Sequence, residues 1–328
     1  MAPPAATPPT SPVPPTPPSR WRRLGVALRR WVDSGPAATD GVPPATGEPQ
    51  RVDWPRILPF VALHGGCLGV LWVGWSPVAV WTAVGLYVVR MFAITAFYHR
   101  YFSHRSFKTS RAAQFVFAVV GNSAVQRGPL WWAAHHRKHH RHSDEAPDVH
   151  SPHVHGFWWS HMGWITSKEN FATDLRQVPD FAKFPELRFL DRFNVVVPIL
   201  LALGLYLVGE ALGPAWGTSG GQMLVWGFFI STTVLFHATC SINSVAHVVG
   251  SRRYDTSDDS RNNWWLALLT FGEGWHNNHH QYPAAVRQGH RWWEVDLSSY
   301  GLALLARLGI IWDRKTLPQH VREGRVRP

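Results

Sequence analysis

Cysteine is almost absent from this chain: Cys67 and Cys240 are the only two in 328 residues. No disulfide framework, ferredoxin-like cysteine pattern or cysteine-rich zinc site can be built from two thiols that both fall in apolar runs, and they read as packed side chains. Charge is also scarce, at 16% of residues, with 21 acidic against 32 basic side chains and a net charge of +11. A basic excess fits nucleic acid, anionic lipid or the cytoplasmic loops of a membrane protein. No nucleic-acid motif accompanies it, which leaves lipid and topology. No carboxylate stands between the histidines within each cluster, which separates the chain from soluble carboxylate di-iron bundles.

What is abundant is aromatic and apolar. There are 19 tryptophans and 13% aromatics, while the mean hydropathy of -0.13 averages long apolar runs with a polar head and many histidines. Residues 1–50 are rich in Pro, Ala, Thr and Ser and bury too little to offset their ordering entropy, so disorder is expected there. The prolines precede the charges and no apolar core follows, so this is not a secretory signal. Within it, the basic stretch from Arg20 to Trp31 is either a short Trp-anchored helix on anionic lipid or a solvated basic segment.

Residues 51–328 then read as one membrane domain with four spans, about 57–75, 78–98, 195–212 and 223–242. Arg90 interrupts the second, so it lies at an interface or faces protein. The apolar run 116–132 contains Asn122, Gln126, Arg127 and a Gly-Pro break, and reads as interfacial. Lysine and arginine concentrate in 20–30, 100–192 and the C-terminal tail, which places both termini and the central segment on the cytoplasmic side.

Nineteen histidines are present, and nine of them lie between His135 and His161. Imidazole is a ligand for first-row transition metals. His136, His139 and His140 have the i, i+3, i+4 spacing that shares a helix face, and His276, His279 and His280 repeat it. His99 and His104, five apart, lie about 140° apart on an α-helix, so they diverge to different metals or one sits past a helix end. His247 follows the fourth span, with Asn243 one turn earlier. Nine imidazoles suit two ions. His64 and His237 read as interhelical hydrogen-bonders; His135, His142, His150, His153, His155 and His161 as outer-sphere or surface groups.

HRYFSH, HRKHHRHSD followed by GFWWSHMGW, NSVAH and EGWHNNHH, in that order around two span pairs, resemble the membrane-bound acyl-CoA desaturases of the stearoyl-CoA Δ9 type over about residues 55 to 300. The resemblance implies an all-α integral membrane fold, four transmembrane helices under a cytosolic helical cap that holds a histidine-ligated di-iron centre. Its ligands would be His99, His104, His136, His139, His140, His247, His276, His279 and His280, with Asn243 acting through water. It also implies an acyl tunnel bent near Gln126, Trp132 and Thr239, with Lys168 among the carrier contacts. Two departures stand out. Cys240 replaces a tryptophan of the animal members, and Lys168 is followed by Glu169 where they carry paired basic residues. The carrier is therefore coenzyme A, acyl carrier protein or an intact lipid.

Removing hydrogen from an unactivated methylene needs a cofactor. The expected activity uses two iron ions, dioxygen and electrons from a separate ferredoxin-, rubredoxin- or b-type-cytochrome-like donor with its reductase, because no such domain is fused here. Asp144, Asp148 and Glu273 are candidates to fix imidazole tautomers. A membrane hydroxylase or alkane monooxygenase uses similar boxes and would yield an alcohol. A histidine-rich metal-binding or transport protein would place its ligands at bilayer depth. The expected location is the plasma membrane of a bacterium.

Overall fold

The computed structural model describes residues 20–35 and 51–322, so most of the expected N-terminal disorder lies outside the described residues. Within them the basic stretch resolves as a helix, Arg20–Val32. It is tied to the rest of the chain at its C-terminal end. The Trp31 indole N–H donates to Pro55 O at 2.8 Å, and Arg192 grips Asp33 through two bonds of 2.8 Å.

Among the described residues three helices are long and apolar enough to cross a bilayer: Pro77–Ser103, Val196–Trp216 and Gly220–His247. The first expected span forms the shorter helix Leu58–Val73. Its end is set by Gly74, whose φ of 66° takes the chain out of helical space. Sixteen residues rise only about 24 Å as an α-helix, although the tighter turn at Cys67–Gly69 lengthens it slightly. The run 116–132 splits, as its polar break predicts, into helices Arg111–Asn122 and Pro129–His142.

The long helices show lipid-type surfaces. Ile199, Leu200, Leu203 and Leu207 are exposed along Val196–Trp216, where water would make such a stripe costly. Arg90 faces protein instead. Its guanidinium is buried against the last span, donating to Ser231 Oγ and Thr232 Oγ1 at 2.7 Å each, with Leu86 O at 3.1 Å from Nε. A charged group at this depth stays only where every donor finds an acceptor. His64 and His237 join as expected, Nε2 to Nε2 at 3.1 Å. Both cysteines are free.

The ends of Pro77–Ser103 and Gly220–His247 run into a compact helical cap. Its core includes Tyr98, Phe102, Leu130, Leu187 and Leu302. A two-residue antiparallel pair, Lys108–Thr109 with Ile311–Trp312, fastens the C-terminal part to the cap.

Candidate metal centre

The local winding of Pro77–Ser103 decides where the first two histidines go. From Ala93 to Ser103 the helix is π-wound, and His104 N donates to His99 O at 3.2 Å, an i→i+5 bond. In that winding residues five apart stack on one face. His99 and His104 therefore do not diverge. His104 sits just past the helix end, as the second sequence expectation allowed, and both rings enter one group.

Helix Pro129–His142 starts with Pro129 at its first position, and the Trp131 N–H donates to Asp191 Oδ1 at 2.7 Å. Asp191, brought from the segment before the third apolar helix, thereby caps and orients the first histidine triplet. The second triplet occupies the short helix His276–Gln281.

Two groups of imidazoles result: His99, His104, His136, His140 and His279 in one, His139, His247, His276 and His280 in the other, with ligand atoms within 4.8 Å of one another in each. Each triplet thus sends its members to both groups. In the first, Nε2 atoms approach as close as 2.8 Å (His104 to His136), 2.9 Å (His140 to His279) and 3.0 Å (His99 to His279). Neutral imidazoles whose Nδ1–H groups point outward present bare lone pairs at such distances, and a cation resolves that repulsion. The buried His280 Nε2 has no hydrogen-bond partner and belongs to the second group. The donor set fits two nitrogen-ligated transition-metal ions.

Carboxylates hold the outer nitrogens. Asp148 accepts from His139 Nδ1 at 2.9 Å, Asp144 from His247 Nδ1 at 2.8 Å, and Glu273 contacts His99 Nδ1. Those three were expected. Asp258, which accepts from His280 Nδ1 at 2.6 Å, was not. It lies in the polar Ser257–Ser260 loop, without any spacing relation to the boxes. Arg100 is buried between Glu273 and Asp296 at 3.1 and 3.0 Å; burial opposes the charge on Glu273, but His99 first and Arg100 next lower its pKa. Burial, followed by the neighbouring imidazoles, holds His104, His136, His140, His276, His279 and His280 well below the ordinary histidine range. They are neutral, as ligands must be. Burial acts the same way on His139, but the Asp148 carboxylate overrides it and raises the pKa. Burial opposes the charge on Asp144, yet the bond from His247 brings it down to about 2.

The remaining histidines stay outside the two groups. His142 is at the surface near Glu145 at 3.3 Å, His135 bonds to Asn170 O at 3.1 Å, His153 to His247 O at 3.0 Å and His155 to Asp148 O at 3.0 Å. His161 contacts His237 Nδ1 at 3.0 Å. His150 is buried beside Asp148 at 3.2 Å.

Against both groups, at His99 and His136 of the first and His139 and His276 of the second, opens a cavity of about 470 Å³ including its open mouth. Met91, Ile94, Trp132, Thr239, Ile242 and Asn243 line it. Trp132 stacks on His136 with ring centroids 5.0 Å apart, and Gln126 Nε2 donates to Thr239 Oγ1 at 3.0 Å. Asn243 thus reaches the same wall as His139 and His276. Lys168 is exposed, apart from this wall.

Residues 51–300 match the fatty acid desaturase family model. The chain belongs to the fatty acid desaturase family. It is 38% identical over 269 residues to an sn-1 stearoyl-lipid 9-desaturase of Anabaena variabilis, covering 81% of this chain and 95% of that protein. An acyl-CoA 5-desaturase of Anemone leveillei is 36% identical over 297 residues, 86% of this chain and 88% of its own. A second sn-1 stearoyl-lipid 9-desaturase, from Synechocystis, is 40% identical over 245 residues, with 73% and 74% covered. As a desaturase, this chain is an oxidoreductase of lipid metabolism, a membrane protein with histidine-rich metal-binding groups.

Proposed function

We propose that this desaturase places a cis double bond at the Δ9 position of a saturated fatty acyl chain, using dioxygen and electrons from a separate donor protein. The observation that carries the reading is the pair of imidazole groups standing against an apolar cavity. A di-iron centre, when bound, supplies the oxidising power that no side chain has.

The chain's own residues do the rest. Nine imidazoles would hold the two ions, with Asn243 placed to act through water. Asp144, Asp148, Asp258 and Glu273 accept the Nδ1–H groups of His247, His139, His280 and His99 and fix those rings, so that the Nε2 of each of the four faces inward. Met91, Ile94, Trp132 and Ile242 exclude water and hold a methylene pair in place. The Gln126–Thr239 bond sets the bend that selects the cis geometry.

Coenzyme A is the first reading of the carrier. An intact glycerolipid is the second, favoured by Glu169 beside Lys168 and by the lipid desaturases among the relatives. In the cell we place the chain across a bacterial plasma membrane in four spans, with the short Leu58–Val73 helix as the first, and with the cap and both termini cytoplasmic. Residues 51–328 then form the desaturase domain behind an appended N-terminal segment.

Expression in a desaturase-deficient host, followed by gas chromatography of its fatty acids, tests this. A cis-9 monoene that disappears in the His279→Ala variant supports the reading. An alcohol would identify a hydroxylase, and bound metal without oxygen-dependent product would identify a metal-binding protein. Purified enzyme offered stearoyl-CoA or stearoyl glycerolipid in vesicles separates the two carriers.

A further inference from the structure

The geometry points to a docking surface for a small acidic electron carrier, built around Arg105, Arg141 and Arg176 at the tip of the cap. This rests on the desaturase reading, which requires electrons from outside, and adds where they enter and what charge brings them.

Arg105 directly follows His104, and Arg141 directly follows His140, so two donors of the five-histidine group each adjoin an exposed guanidinium. The Arg105 side chain is 61% exposed and lies 3.5 Å from Asp180. Arg137 spans the same carboxylate at 2.8 and 3.0 Å, and Arg141 bonds to Gln177. Arg176, 90% exposed, pairs with Asp174 at 2.8 Å, while Gln177 also donates to Asp174 at 3.0 Å. Four guanidiniums thus gather around two carboxylates and leave the patch positive. Lys138, one turn before Arg141 on the same helix, adds to it.

His104 and His140 are half-buried as whole residues, and each is followed in the chain by one of these arginines. A carrier seated on Arg105 or Arg141 meets a residue bonded directly along the chain to a member of the imidazole group. Electron tunnelling falls steeply with distance, so this is the short route.

The patch faces away from the apolar helices. Helix Pro129–His142 begins beside Gln126, which bonds the membrane helix at Thr239, and ends at the patch. Arg105 likewise follows the cap end of Pro77–Ser103. That placement favours a soluble partner over the bilayer surface. Complementary charge raises the encounter rate and weakens with salt, which suits a carrier that must arrive and leave at each turnover. Electron-transfer contacts are typically small.

The test uses iron-loaded protein in nanodiscs and an acidic [2Fe–2S] ferredoxin with its reductase. The wild type is expected to bind ferredoxin with a Kd that rises with salt. The Arg105→Glu/Arg141→Glu variant should raise that Kd and the KM for ferredoxin roughly tenfold or more, and flatten the salt slope. Dithionite-driven product formation and iron content should stay at wild-type values. Arg176→Glu, whose side chain lies away from the imidazoles, should show the same effect in smaller measure, and it carries the test should the double variant lose iron. Unchanged ferredoxin Kd and salt slope in both variants would overturn the proposal. So would loss of binding to phosphatidylglycerol vesicles with ferredoxin binding intact, which would assign the patch to the membrane. The Kd requires no desaturation, so a failure of the functional reading shows separately, as absence of alkene with either reductant.

Discussion

Asp258 offers the sharpest test of the outer ring of carboxylates. Its Oδ2 accepts from His280 Nδ1 at 2.6 Å, while Oδ1 accepts from Ser260 N at 3.0 Å and Thr256 Oγ1 at 3.1 Å. Asp258→Asn keeps the size and an acceptor oxygen for the turn but removes the charge that strengthens the imidazole as a donor. Loss of such a partner typically costs 10–100-fold in metal affinity, about 1.4–2.7 kcal/mol. Only one of nine rings is affected, and its Nε2 still faces the second group, so the low end is expected, near tenfold. The assay is iron retention against a graded chelator, read together with the melting temperature of the metal-free protein. The variant should release one iron per protein at about tenfold lower chelator, with the metal-free fold little changed. Equal chelator curves for variant and wild type would refute the reasoning, and so would loss of both irons together at low chelator.

Four further outcomes are expected. His136→Ala, His279→Ala and His247→Ala should each insert normally, lower bound iron and abolish activity, whereas His64, His142 and His237 variants should keep their iron, as metal analysis of purified protein will show. Replacing Thr239 with leucine should break the bond from Gln126 and lower turnover with iron content normal; iron loss there would remove the tunnel assignment. Because burial lowers the pKa of six clustered imidazoles in the fold, the unfolded chain binds more protons below the ordinary histidine value of about 6.5. The metal-free protein should therefore be stable above that pH and lose melting temperature progressively as pH falls below it, and a flat profile would contradict neutral rings. Deleting residues 2–18 should leave the product profile unchanged in host lipid analysis.

Much of this site was legible because helical ligands must recur at three and four residues, and both triplets do so. Their helices form at the expected positions. The π-winding before Ser103 was not legible: it depends on how Ala93–Ser103 packs against the cap, and composition does not encode it. Asp258 escaped for a different reason, since a loop residue 22 positions before His280 meets it only through the folded chain. The first apolar run overstated its helix because hydropathy does not register the left-handed Gly74 that ends it. Arg90 was read as facing protein or lying near an interface, and its hydroxyl partners on the last span show which. Of the small residues in the second apolar run that could border a tunnel end, Gly85 is exposed with open space beside its backbone. It looks out of the bundle, while Ala83 is buried.

Because each triplet divides its rings between the two groups, neither helix can be altered for one pocket alone. Inserting or deleting a single residue in His136–His140 turns everything beyond it by about 100° and withdraws donors from both ions at once. The three-and-four spacing acts as a rigid gauge that holds the separation of the two sites, as well as the shape of each. A shift of either helix is thereby felt at both pockets, whereas a change confined to one ring's outer partner is felt at one.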